Sequence, residues 1–166
     1  MFTGSAENLE ASFSFRAGWC RLTLSVDGES AVYRATGIEH DFFSDLVTAI
    51  AQISSGATIA TTLWGDEPGG VFFDFAKAGP EHTAFSVQEM QLPEWITPSD
   101  PPWAPLRGKS LMASRVPTLT LMTAWADAFA AVQKTLTGDE VTGWGRKFPT
   151  GTYSALRAEL QNRRSA

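Results

Sequence analysis

The chain has 166 residues, is 43% hydrophobic and 19% charged, and carries a formal net charge of −5. That length supports a real apolar core, and that composition excludes a chain disordered throughout. No run of about 18 apolar residues exists to span a bilayer. The single cysteine, Cys20, excludes an internal disulfide and nearly excludes a cysteine-based zinc site.

The first residues, MFTGSAENLEASFSF, hold two acids and no early base, unlike a secretory leader, so a cytoplasmic protein is expected. Alternation begins in SFSFRAG (12–18), which places Phe13 and Phe15 on one face. CRLTLSV (20–26) places Leu22, Leu24 and Val26 together, and AVYRATG follows after Asp27-Gly28, a dipeptide suited to the positive φ angles of a type I′ hairpin turn. Two or three antiparallel strands therefore open the chain.

The period then changes. In HDFFSDLVTAIAQISSG (40–56), Phe43, Leu46, Val47, Ile50 and Ile53 recur at helical spacing. Asp41 and Asp45 favour the positive end of that helix dipole, and Gly56 suits a left-handed cap. Strands are expected again in ATIATTLW (57–64), GVFFDFAK (70–77) and HTAFSVQEM (82–90), with AGPE (78–81) turning between the last two. The hairpin corner GDEPGG falls between Trp64 and the next strand, where Pro68-Gly69 suits a type II turn.

From residue 91 to 108 the pattern dissolves into a Pro-rich loop with Trp95 and Trp103. Loops of that length inside compact domains tend to carry function. A strand in KSLMASRV (109–116) precedes a helix over 117–138, with Pro117 at its start, Gly138 at its end and a core stripe of Leu121, Met122, Trp125, Phe129, Val132 and Leu136. A short last helix is capped by Thr152 in this reading, with Tyr153, Leu156 and Leu160 on its inner face and Arg157, Arg163 and Arg164 toward its negative end.

These elements predict one α+β domain over residues 1–166. Its antiparallel sheet would have about six or seven strands with helices packed on one face. Phe73, Phe75, Phe85 and Val87 should meet Phe43, Ile50, Trp125 and Phe129 in the core.

Chemistry is harder to find. His40 and His82 lack the spacing of paired metal ligands, and no G-x-S-x-G elbow is present. Cys20 lies in an alternating strand, as a small core residue would. GDEPGG carries two acids that would repel phosphate; TGWGRKFPTG (142–151), with Arg146 and Lys147 beside glycines, is the better anion candidate. No catalytic constellation stands out, no cofactor or metal is implied, and a binding protein is favoured over an enzyme. The charge is polarised: residues 1–106 hold 14 acids and 4 bases, whereas residues 107–166 hold 4 acids and 9 bases. An acidic body repels nucleic acid and attracts a basic protein. The alternative is that the two parts neutralise each other within the fold.

Trp64-Gly65-Asp66-Glu67-Pro68-Gly69, followed by GVFFDF, resembles a pattern in a loosely defined group of small bacterial proteins. The preceding helix and the late FPTGTYSALRAEL are similar to that group as well, so the likeness spans roughly residues 40–90 and 117–160. Where an Arg-Trp pair is common in that group, this chain has Phe72-Phe73. Some members are similar to immunity proteins encoded beside polymorphic or contact-dependent toxins. The resemblance implies a bacterial protein that binds a basic toxin domain. Trp64, Asp66 and Glu67 would then form an acidic-aromatic patch, and Trp95 and Trp103 are the other candidate partner-binding residues. Tryptophan anchors and steering acids are what binding surfaces use. The competing expectations are a ligand pocket or small enzyme between the sheet and the Pro-rich loop, lined by Trp95 and Trp103, and an oligomerisation surface built on the same tryptophans.

Overall fold

A computed structural model describes residues 3–38, 40–66, 69–91 and 106–166. Eight strands and three helices follow one another as β1 (Thr3–Ser5), β2 (Leu9–Arg16), β3 (Trp19–Val26), β4 (Glu29–Thr36), α1 (Phe42–Ser54), β5 (Ile59–Asp66), β6 (Gly69–Lys77), β7 (His82–Gln91), β8 (Leu106–Pro117), α2 (Thr118–Gln133) and α3 (Thr150–Ser165). The chain is α+β, as its changing periodicity predicts.

The expected single antiparallel sheet is corrected to two sheets. One has five strands in the order β1-β8-β7-β6-β5, and the other has three in the order β2-β3-β4. The larger sheet is mixed, because β1 runs parallel to β8, with Thr3 opposite Ala113 and Ser5 opposite Arg115. A three-residue strand paired with one more than a hundred residues away leaves no local period to read.

Tight turns set the register of the smaller sheet. Asp27 (φ 47°) and Gly28 (φ 88°) join β3 to β4, and Ala17 (φ 52°) and Gly18 (φ 80°) join β2 to β3. Both pairs have the two positive φ values of a type I′ turn, whose twist matches that of the strands it joins. Phe13, Leu22 and Tyr33 thereby stand in one cross-strand row.

The helices end by different devices. Asp41 caps α1, its carboxylate accepting from the Ser44 amide at 3.2 Å and the Ser44 hydroxyl at 2.7 Å. At the other end Gly56 (φ 103°) donates to Ile53 O and Ala57 to Gln52 O, the paired bonds of a Schellman motif. Helix α2 stops at Gln133, earlier than Gly138, where threonines compete for the backbone: Thr135 Oγ1 donates to Val132 O and Thr142 Oγ1 to Thr135 O. Helix α3 begins at Thr150 after Pro149 without a side-chain cap, so Thr152 lies inside it.

One core joins both sheets and all three helices. The ring of Phe13 on β2 lies 5.2 Å from Phe43 of α1, 5.8 Å from Phe129 of α2 and 6.1 Å from Trp64 of β5, centroid to centroid. Tyr33 of β4 meets Phe73 of β6 edge-on at 5.5 Å. The eight residues expected to meet between sheet and helices are all buried, whereas Leu136, the last of the expected α2 stripe, falls beyond the helix and is half-buried. Burial pushes the Tyr33 phenol up to about 12 and the Cys20 thiol up as well. Since the thiolate is the reactive form, Cys20 should resist a thiol-specific reagent in the folded protein and react on the order of a hundredfold faster in denaturant. Comparable rates in the two states would show that β3 does not bury it.

Candidate functional site

The hairpin of β5 and β6 separates the residues that the sequence groups as a patch. Trp64 stands in phase with Ala60 and Thr62 on the buried face of β5 and is fully enclosed. Its ring packs against Phe13 and edge-on against Phe73, and its Nε1–H has no hydrogen-bond partner among the described residues. The picture of Trp64 as a presented anchor is therefore corrected: the indole links the two sheets from inside. Asp66 closes the strand pairing opposite Gly69, and its carboxylate lies 3.7 Å from Arg34 Nε of β4. Glu67, Trp95 and Trp103 lie outside the described residues, as does most of the Pro-rich loop.

The anion candidate in TGWGRKFPTG is accounted for by structure. Arg146 donates to the carbonyls of Gly37, at 2.8 and 3.1 Å, and of Ile38, at 3.2 Å. Lys147 pairs with Asp139 at 2.8 Å, and their hydrogen bond holds the Asp139 carboxyl below and the Lys147 ammonium above their ordinary ranges. Trp144 is buried, donates from Nε1 to Asp41 at 3.0 Å and lies against Gly37, where any Cβ would meet the indole at 3.0 Å. This segment locks the start of α1 to the end of β4.

A different concavity emerges where β2 runs beside α2. It is a groove of about 680 Å³ whose floor includes Leu9, Ala11 and Ala124 and whose rim carries Glu7, Glu10 and Asp127. Its one base, Arg164 of α3, donates to Thr123 Oγ1 at 3.2 Å. Glu7, Glu10 and Asp127 are exposed, and no base among the described residues lies within ion-pair distance of them. Leu119, at the groove's edge, is 42% exposed. Asp27 holds one end in place, accepting from the amides of Glu7 and Asn8 at 3.2 and 2.8 Å. The spacing of Thr120, Thr123 and Asp127 marks a polar face of α2, but nothing local says that β2 lies against it.

The wider charge pattern bears on the same surface. Among the described acids before residue 107, only Asp74 pairs with a base beyond that point: Arg107 donates to it at 2.5 and 3.0 Å while lying over the Phe72 ring. Burial raises the Asp74 pKa, yet the hydrogen bonds from Arg107 and Thr61 outweigh it and hold the carboxyl below its usual range. Among the described residues, the two polarised parts of the chain thus meet in one side-chain ion pair, Asp74–Arg107.

No helix among the described residues is long and apolar enough to cross a membrane, and no group of three His, Cys, Asp or Glu side chains converges there as a metal site. No known protein family, curated protein or solved structure matches the chain.

Proposed function

We propose that this is a non-enzymatic bacterial protein-binding domain that captures a basic protein surface, in the manner of the toxin-neutralising immunity proteins its hairpin motif resembles. The observation that carries the reading is the β2–α2 groove. Three exposed carboxylates, Glu7, Glu10 and Asp127, with no base in ion-pair distance among the described residues, border an apolar floor. Acids on a rim steer a basic partner and speed its approach, while the apolar floor supplies affinity once water is expelled. The partner would insert a basic, partly apolar segment between β2 and α2.

The test is co-purification with the product of the adjacent gene at low and at physiological salt. Binding is expected to weaken as salt screens the rim. Replacing Glu7, Glu10 and Asp127 together by Lys is expected to weaken it by roughly tenfold or more, about 1.4 kcal/mol for each factor of ten. Absence of binding at low salt, or full binding by the triple variant, overturns the reading.

A further inference from the structure

The acidic part of the chain holds four bases before residue 107, and three of them, Arg16, Arg21 and Arg34, fall on one surface. Strand alternation explains how. On the three-stranded sheet Cys20, Leu22, Leu24, Tyr33 and Ala35 face the core, so the residues between them face out. The register sets Ser14, Arg21 and Arg34 in one outward row and Arg16 and Trp19 in the next, where the third member, Thr36, is buried. Arg21 and Arg34 stand directly opposite each other, where like charges destabilise a strand pair; Arg16 is the diagonal neighbour of Arg21, within about 8 Å. Trp19 is 40% exposed on one side of the Arg21–Arg34 row, and Val32 is 44% exposed in the outward row on the other side. Among the described residues, the only carboxylate within 4.0 Å of any of the three is Asp66, at 3.7 Å from Arg34. The inner face supplies the packing, and the outer one keeps a repulsive cluster beside an exposed indole.

We propose that this outer face is a second docking surface, fitted to a carboxylate-bearing segment of a protein partner whose apolar side chain seats against Trp19. Guanidinium forks bind carboxylates bidentately, and an incoming carboxylate relieves the Arg21–Arg34 repulsion. Trp19 and the aliphatic stems of the arginines provide the contact area. The surface is distinct from the acidic groove, opposite to it in charge, and does not depend on that groove having a function.

Two other occupants fit less well. A second copy packed face to face about the outward Ser14–Arg21–Arg34 row would crowd Arg21 and Arg34 of both molecules around the symmetry axis, with no acid in that row. The three strands also offer only about 14 by 26 Å, some 370 Å², against roughly 800 Å² per partner in stable interfaces. A single-stranded nucleic acid would stack on Trp19, but its chain of phosphates would run along the strands toward Glu10 on a protein of net charge −5. A protein segment confines its negative charge to the arginine end.

Fluorescence anisotropy with a short labelled peptide of Glu and Leu, and with labelled oligothymidylate of the same length, separates these outcomes at low salt. The Glu-Leu peptide is expected to bind, to shift the Trp19 indole N–H resonance, and to bind about tenfold or more weakly to the Arg21→Glu/Arg34→Glu variant. The neutral Arg21→Gln/Arg34→Gln variant, which removes the repulsion, should melt no lower than the parent and also bind weakly. Lys substitutions at Glu7 and Asp127, in the groove, should leave peptide affinity undiminished, so failure of the groove reading and failure of this one are told apart. No binding of the Glu-Leu peptide, equal binding to the arginine variants, or tighter binding of oligothymidylate overturns the proposal.

Discussion

Replacing Trp64 by Ala is expected to lower the unfolding free energy by about 3–5 kcal/mol, a large share of the roughly 5–15 kcal/mol that holds a domain together. The side chain is fully buried, and its ring lies 6.1 Å from Phe13 of the three-stranded sheet and 6.2 Å from Phe73 of the five-stranded one. Truncation therefore opens a cavity at the seam between the sheets, where rigid neighbouring rings cannot collapse inward. Trp64→Phe should cost less, because it keeps a ring at the seam and removes an indole N–H that has no hydrogen-bond acceptor among the described residues. Urea denaturation of both variants measures this through the shift in midpoint at constant slope. A partner-binding anchor would show the opposite pattern: unchanged stability and weakened association. A loss below about 1 kcal/mol for Trp64→Ala would remove the indole from its place as the link between sheets.

The same side chain shows which structural information is local. Alternation marks the inner rows of β3 and β7 because Leu, Phe and Val there alternate mostly with polar residues, while in β6 Asp74 between Phe73 and Phe75 is the polar break. In ATIATTLW threonine and small residues fill both rows, so the contrast that would have turned Trp64 inward is weak. The boundaries of α1 were legible through Asp41 and Gly56, whose capping needs only neighbouring residues. Partition into two sheets was not, since a strand carries the same alternation whichever sheet receives it. Nor was the groove, which depends on β2 meeting α2 across the whole chain. The arginine face lies between these cases. Two-residue hairpins at Ala17-Gly18 and Asp27-Gly28 fix the register, and register alone brings Arg16, Arg21 and Arg34 together.

Gly70→Ala is expected to cost about 2–4 kcal/mol, whereas Gly69→Ala, one residue away, should cost less than about 1 kcal/mol. Gly70 has φ 149°, and a Cβ built there would sit 2.5 Å from the Trp64 carbonyl oxygen and 3.0 Å from Gly65 Cα. Both obstacles are backbone of the paired strand, since Gly65 lies opposite Gly70, so relief requires prising β5 from β6 just where Trp64 is buried. At Gly69 the nearest atom, Asp66 O, is 3.7 Å away, an ordinary contact. The paired substitution thus separates two meanings of GDEPGG. If the glycines serve the backbone, only Gly70→Ala lowers the denaturation midpoint, and partner affinity falls in proportion to the unfolded fraction. If they serve recognition, both variants keep the parental midpoint and lose binding. Equal destabilisation by the two would place the strain elsewhere in the corner and refute the clash between Gly70 and the Trp64 carbonyl as its source.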